Sequence, residues 1–393
     1  MHHVHFGVDQ LLDQTGLVEG RLGLVTNDAA RTARDVDLRS RVALRQAGFN
    51  LVRLFSPEHG LGANATDGAA VADGRDPLTG LPVVSLYGER LRPTRESLAD
   101  LDAVLFDIPD IGTRFYTYIW TLSHVLEACA EAGVPFIVLD RPNPLGGNLA
   151  SAEGPMLDSE KFSSFVGRAA IPIRHSLTAG ELAHLWNAEW KLDAKLRVIP
   201  CSGWHRLMHW PDTGLPFIQT SPAIPSYESA LLYPGICLFE ATNLSVGRGT
   251  EFPFQGIGAP WLNAQAIVYD INSRNLRGQV AEEFEFKPSQ SPFAGIHCHG
   301  VRLRVTADNC ARPVAAGLQL LAAVIRHNRR EFRWANYPTA ANPGGEGHFE
   351  HLIGRAGIRE ILEELPPNLD QHIEQWTCAA GWAERTKSFL LYA

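Results

Sequence analysis

Five short runs rich in branched apolar residues recur within the first 145 residues: RLGLVTN (21–27), NLVRLFS (50–56), LPVVSLY (81–87), LDAVLFDI (101–108) and VPFIVLD (134–140). They lack polar alternation, which is the pattern of strands buried on both faces. Between them lie helical patterns at DVDLRSRVALRQAG (35–48), RPTRESLADL (92–101) and FYTYIWTLSHVLEACAEAG (115–133), the last closing on Gly133, a stop signal after an amphipathic run. Strands alternating with helices build βαβ units. The fold class is therefore α/β, with a parallel sheet covered by helices on both faces.

In such sheets ligands bind at the carboxyl ends of the strands. The polar residues of this chain stand at those ends. The first strand runs into Thr26-Asn27-Asp28, and the second into Ser56-Pro57-Glu58-His59-Gly60, where proline ends the ladder for want of an N–H. The third closes on Tyr87-Gly88, the fourth on Asp107 and then PDIGTR with Asp110 and Arg114, and the fifth on Asp140, Arg141 and Asn143. One rim thus collects Asn27, Glu58, His59, Tyr87, Asp107, Asp110, Arg114, Asp140, Arg141 and Asn143.

A chain of 393 residues exceeds the roughly 100–200 of a typical domain, so two domains are expected, about 1–160 and 161–393. The net charge of −8 is spread without a basic block, which argues against a nucleic-acid surface. The six cysteines show no CxxC spacing, so neither a zinc ribbon nor a disulfide framework is indicated. The start, MHHVHFGVDQLL, lacks the pattern of an export leader, and no run approaches the 18 apolar residues of a membrane span. A soluble, cytoplasmic chain is the expectation, or an exported one if a leader was removed. His2, His3 and His5 lie where chains fray, and no metal is expected there.

Beyond residue 160, SLTAGELAHLWNAEW (176–190) reads as a helix with Thr178 and Glu181 in capping-box spacing, followed by a strand at KLRVIPC (195–201). Residues 202–262 form a long irregular stretch rich in Pro, Gly, Trp and Tyr, of the kind that builds binding surfaces. Within it, Glu240, Thr242, Asn243, Ser245, Arg248 and Thr250 offer donors and acceptors suited to a polyhydroxylated ligand. Arg248 can grip a carboxylate through two parallel hydrogen bonds. GIHCHGVRLRV and the residues after it read as a strand followed by a helix, and 350–376 as helical. His297-Cys298-His299 alternates like a strand and is read as structural, not as a metal pair.

Gly60-Leu61-Gly62-Ala63-Asn64-Ala65 fits the dinucleotide pattern G-x-G-x-x-[GA], but a polar stretch follows it and the next strand ends in Tyr87 instead of an acid. No cofactor is expected. No G-x-S-x-G and no HExxH occur. Glu58 can be read as a helix cap or the partner of an arginine. Beside a histidine and over an apolar floor, a carboxylic acid can instead hold its proton near neutral pH and act as a general acid. Asp107, Asp110, Asp140 and Glu240 are the possible second carboxylates, and glycosidic cleavage ordinarily needs a pair.

SPEHG (56–60), DIPDIGTRFYTY (107–118), LDRPNPLGG (139–147), EGP (153–155), IPIRHSLTAGEL (171–182), FEATNLSVGRGTEFPF (239–254) and FEHLIGRAGIREIL (349–362) stand in the order they have in one bacterial family. The chain resembles the exo-acting β-N-acetylmuramidases of peptidoglycan recovery, long described only as a domain of unknown function. The resemblance implies a Rossmann-like domain joined to a second α/β domain, with the active site in the cleft between them. It implies release of N-acetylmuramic acid from the non-reducing end of β-1,4-linked fragments, with Glu58 as the catalytic residue. His59 would assist, and Tyr116 and His175 join the rim residues as sugar contacts. Arg114, Arg141 or Arg248 would hold the lactyl carboxylate. Where the family usually has GTNLSEGRGT this chain has ATNLSVGRGT, with Ala241 and Val246, and where it has SPNIP this chain has SPAIP, with Ala223. The partner expected is a muramyl saccharide; the rivals are an NAD-dependent or nucleotide-sugar enzyme and a non-catalytic glycan-binding module.

Overall fold

The computed structural model describes residues 4–66 and 68–393. His2 and His3 lie outside the described residues, whereas His5 is pinned, exchanging backbone hydrogen bonds with Ser202 in place of the expected fraying.

The five branched runs form strands β1 (Leu22–Thr26), β2 (Leu51–Ser56), β4 (Pro82–Ser85), β5 (Ala103–Asp107) and β6 (Phe136–Leu139), with a short β3 (Gly74–Arg75) between the second and third. Together with β7 (Leu196–Ile199) they make one seven-stranded sheet in the order β3-β4-β2-β1-β5-β6-β7, parallel except at the β3 edge. The sheet thus takes a strand from beyond residue 160. Side chains alternate across it, as the period of two requires. Val104, Phe106, Phe136 and Val138 enter one core, while Ala103, Leu105, Ile137 and Leu139 enter a second on the opposite face.

Helices α1 (Gly7–Asp13) and α2 (Ser40–Gln46) cover the second core; α3 (Arg95–Leu98), α4 (Tyr118–Ala132), α5 (Ser159–Phe162) and α6 (Ala179–Glu189) follow in chain order. Two termini match their sequence signals. α4 ends on Gly133 at φ 69°, and α6 opens with the reciprocal Thr178–Glu181 capping box.

The second lobe is built on an antiparallel sheet of β8 (Gly256–Ala259), β9 (Gln279–Phe286) and β10 (Cys298–Val305), with β10 in the middle. Around it pack α7 (Tyr227–Ile236), α8 (Ala264–Ser273), α9 (Pro313–His327) and α10 (His348–Ile353). α7 and β8 fall inside the stretch read as irregular. α7 is apolar on nearly every side and carries Pro234 within it, so it shows no amphipathic period. The first core runs without a break from β5 and β6 into α9 and β8, through Leu318, Leu321 and Ile257. Among the described residues no helix is long and apolar enough to cross a membrane.

Candidate active site

Pro57 stops β2, and the chain folds at once into a tight turn: Asn64 and Ala65 N–H both donate to His59 O, at 3.2 and 3.1 Å. His59 takes φ 66°, a left-handed conformation uncommon for a residue with a Cβ, and its Nδ1 lies 2.9 Å from Ala65 O. The turn leaves Glu58 6% exposed, in the wall of a cavity of about 330 Å³. Glu58 Oε1 accepts the Gly68 N–H at 3.1 Å, and Oε2 accepts the Thr117 hydroxyl at 2.6 Å.

Both lobes line this cavity. From the first come Glu58, His59, Tyr87, Tyr116 and Thr117, with residues 163–166; from the second come Tyr233, Cys237, Glu240, Arg248 and Phe254, with Tyr337, Thr339, Ala341, Asn342, His348 and His351. Glu240 and Arg248 form an ion pair. Arg248 Nε and Nη2 lie 2.8 and 2.7 Å from Glu240 Oε1, the Cys237 thiol donates to Oε2 at 3.2 Å, and the guanidinium lies 4.9 Å from the Phe254 ring centre. Burial, then the neighbouring Glu240, pushes the Cys237 thiol well up, so it stays a neutral donor. Tyr116 donates to the Thr220 hydroxyl at 2.7 Å, and burial raises its phenol in the same way. Tyr87 packs against Phe165 with ring centres 5.0 Å apart.

The other expected site residues do not line the cavity. Asp107 is fully buried and clamped by Arg141, whose Nε and Nη2 lie 2.6 and 3.1 Å away; Arg141 also donates to Arg31 O. Asp140 accepts from the Thr178 hydroxyl, Gly180 N–H and the Tyr392 hydroxyl. Burial raises its carboxyl to about 6. Arg114 points its guanidinium at three carbonyls, those of Pro155, Ile171 and Leu352, and burial pushes it down to about 9. Asp110 accepts the Gly112 N–H and stands 3.4 Å from His175 Nε2. His175 is itself buried, with Nδ1 accepting Leu177 N–H. Asn27 and Asn143 each accept a backbone N–H two residues on, as in Asx turns. In the second lobe Thr242 and Ser245 bond their local backbone, and Asn243 bridges to Glu331 and Arg333.

The cavity therefore keeps Glu58, His59, Tyr87, Tyr116, Glu240 and Arg248 of the expected set. It adds Thr117, residues 163–166, and Tyr337, Thr339, Ala341 and Asn342. Thr117 lies inside the DIPDIGTRFYTY motif, and the Pro-, Asn- and Gly-rich stretch before FEHLIGRAG carried the composition of a functional loop. Ala223 lines the cavity, whereas Val246 is buried and hydrogen-bonds through its backbone to Phe254.

The model of the exo-β-N-acetylmuramidase NamZ N-terminal region matches residues 22–228, and that of the C-terminal region matches residues 231–392. The chain is 41% identical over 364 residues to the peptidoglycan β-N-acetylmuramidase NamZ of Bacillus subtilis (strain 168), covering 92% of this chain and 84% of that protein. Two crystal structures of DUF1343 family proteins from Bacteroides fragilis share the fold. One superposes with a TM-score of 0.87 at 31% identity, with all of both chains covered; the other gives 0.75 at 29%, with 99% of each covered.

Proposed function

The chain belongs to the exo-β-N-acetylmuramidase NamZ family and is a glycoside hydrolase of peptidoglycan, and on that premise we propose that Glu58 is its general acid and Arg248 its carboxylate clamp. The substrate is N-acetylmuramic acid at the non-reducing end of a β-1,4-linked fragment. Glu58 gives its proton to the glycosidic oxygen as the bond to the anomeric carbon breaks. The bonding electrons leave with that oxygen, and positive charge builds on the sugar ring.

The observation that carries this reading is the sorting of the charged candidates. Of the five carboxylates weighed as catalytic, Glu58 and Glu240 line the cavity, while Asp107 is locked to Arg141, Asp110 stands against His175 and Asp140 lies under α6. Of the three arginines weighed for the lactyl carboxylate, Arg248 alone lines it. Glu240 already holds Arg248 on one oxygen and the Cys237 thiol on the other, which suits an anion that aims the guanidinium better than a nucleophile. Attack at the anomeric carbon then falls to water or to the substrate's own 2-acetamido oxygen.

The test compares a chromogenic β-N-acetylmuramide with the matching β-N-acetylglucosaminide, which lacks the lactyl carboxylate. The protein cleaves the muramide in preference, and Arg248→Met raises KM for the muramide about tenfold or more, as loss of a charge-assisted clamp should. Equal cleavage of both sugars, or an unchanged KM in the variant, contradicts the clamp.

A further inference from the structure

We propose that Thr117 is a positioning residue for the acid: its hydroxyl holds Glu58 Oε2 and keeps the carboxyl in the orientation from which it gives up its proton. The proposal rests on the reading of Glu58 as the general acid. Thr117 stands at the N-cap of α4, where a threonine hydroxyl ordinarily accepts an N–H from inside the first turn. It makes no such bond there. The hydroxyl is turned away from its own helix and donates to Glu58 at 2.6 Å, in a buried contact between residues 59 apart in the chain.

The two oxygens of Glu58 have chemically different partners. A backbone N–H can only donate, so Oε1, facing Gly68, stays an acceptor whatever the charge of the carboxyl. The Thr117 hydroxyl can donate to Oε2 whether the carboxyl is charged or protonated, because an oxygen that carries a proton keeps a lone pair for the donor, so the contact holds the carboxyl in one orientation before and after the transfer. The Oε1 side is fixed independently. Gly68 has φ +67°, its carbonyl accepts the Ala340 N–H at 2.8 Å, and a Cβ added to it would press on the Thr339 side chain at 3.0 Å. Oε1 is thus tied to a backbone that both lobes hold, and the Thr117 hydroxyl holds the other oxygen of the same carboxyl group.

Valine matches threonine in shape and exchanges the hydroxyl for a methyl. The experiment measures kcat, KM and the pH profile of Thr117→Val and Thr117→Ser on a β-1,4-linked N-acetylmuramyl–N-acetylglucosamine disaccharide, beside Glu58→Gln. Thr117→Val should lower kcat about tenfold or more with KM within about threefold, and Thr117→Ser should come back to within about threefold of the native protein. A hydroxyl binds a charged carboxylate more strongly than a neutral acid, so its loss favours the protonated form. The basic limb of the kcat/KM profile therefore moves to higher pH in the valine variant and returns in the serine variant. Thr117→Ala, with the same expected direction, replaces valine if valine disturbs the melting temperature. Native kcat and an unmoved limb in the folded Val or Ala variant, or a Ser variant as impaired as Val, overturns the positioning role. If Glu58→Gln retains native turnover, the acid reading falls as well; if it is inactive while Thr117→Val is normal, the positioning role falls alone.

Discussion

Asp140 stands immediately after β6 and Glu58 two residues after β2, and their fates differ because of partners far away in sequence. Asp140 receives the Tyr392 hydroxyl, which belongs to a residue 252 positions later, and sits against the N-terminus of α6. Burial raises its carboxyl from an ordinary 3.8 to about 6 despite three donors. A folded-state value above the unfolded one means that its contribution is complete below about pH 4 and is lost as pH rises through 6. The native protein should therefore lose about 2 kcal/mol relative to Asp140→Asn between pH 4 and pH 7.5. Urea denaturation of both proteins at the two pH values measures it, and a constant difference contradicts it. Glu58 was legible because proline and glycine flank it, and both act locally. The Asp107–Arg141 and Asp140–Tyr392 contacts were not, since no local pattern tells a strand-end carboxylate whether a distant arginine or tyrosine will cover it.

At the scale of elements, the parallel sheet was plain in the sequence because doubly buried strands write themselves as apolar runs. The second lobe was not. β8 is four residues of Gly, Ile, Gly and Ala, and α7 lacks a polar face. The close approach of α7 and α9 leaves room only for glycine at their crossing. A Cβ on Gly235 would come within 1.9 Å of Pro313 O, and one on Gly317 within 2.5 Å of Gly235 Cα. Both obstacles are backbone, so the helices would have to separate. α7 leads directly into the turn Cys237–Ala241 that carries Glu240. Gly317→Ala should cost about 1–3 kcal/mol in spite of alanine's better helix propensity, and should lower activity with it. The midpoint of denaturation and kcat measure the two effects; a variant as stable as the native protein contradicts the tight crossing.

For the whole molecule, the sheet of the first lobe reaches past residue 160 through β7, and the last residues return to it, Leu391 N–H bonding Glu181 and Tyr392 bonding Asp140. One apolar core joins the lobes, and Arg114 ties carbonyls from residues 155, 171 and 352 into a single point. The cavity between the lobes is thus built over a shared apolar core, with Glu58 contributed by one side and the Glu240–Arg248 pair by the other. The chemistry of this cavity turns on a proton. A sugar leaving group needs one, whereas a nitrophenolate departs without it, so loss of the acid must weigh unequally on the two. Glu58→Gln should lower kcat about 10²–10⁴-fold on the muramyl disaccharide and far less on a nitrophenyl β-N-acetylmuramide, with KM little changed on either. An equal loss on both substrates, or native turnover of the disaccharide, would show that Glu58 does not donate the proton.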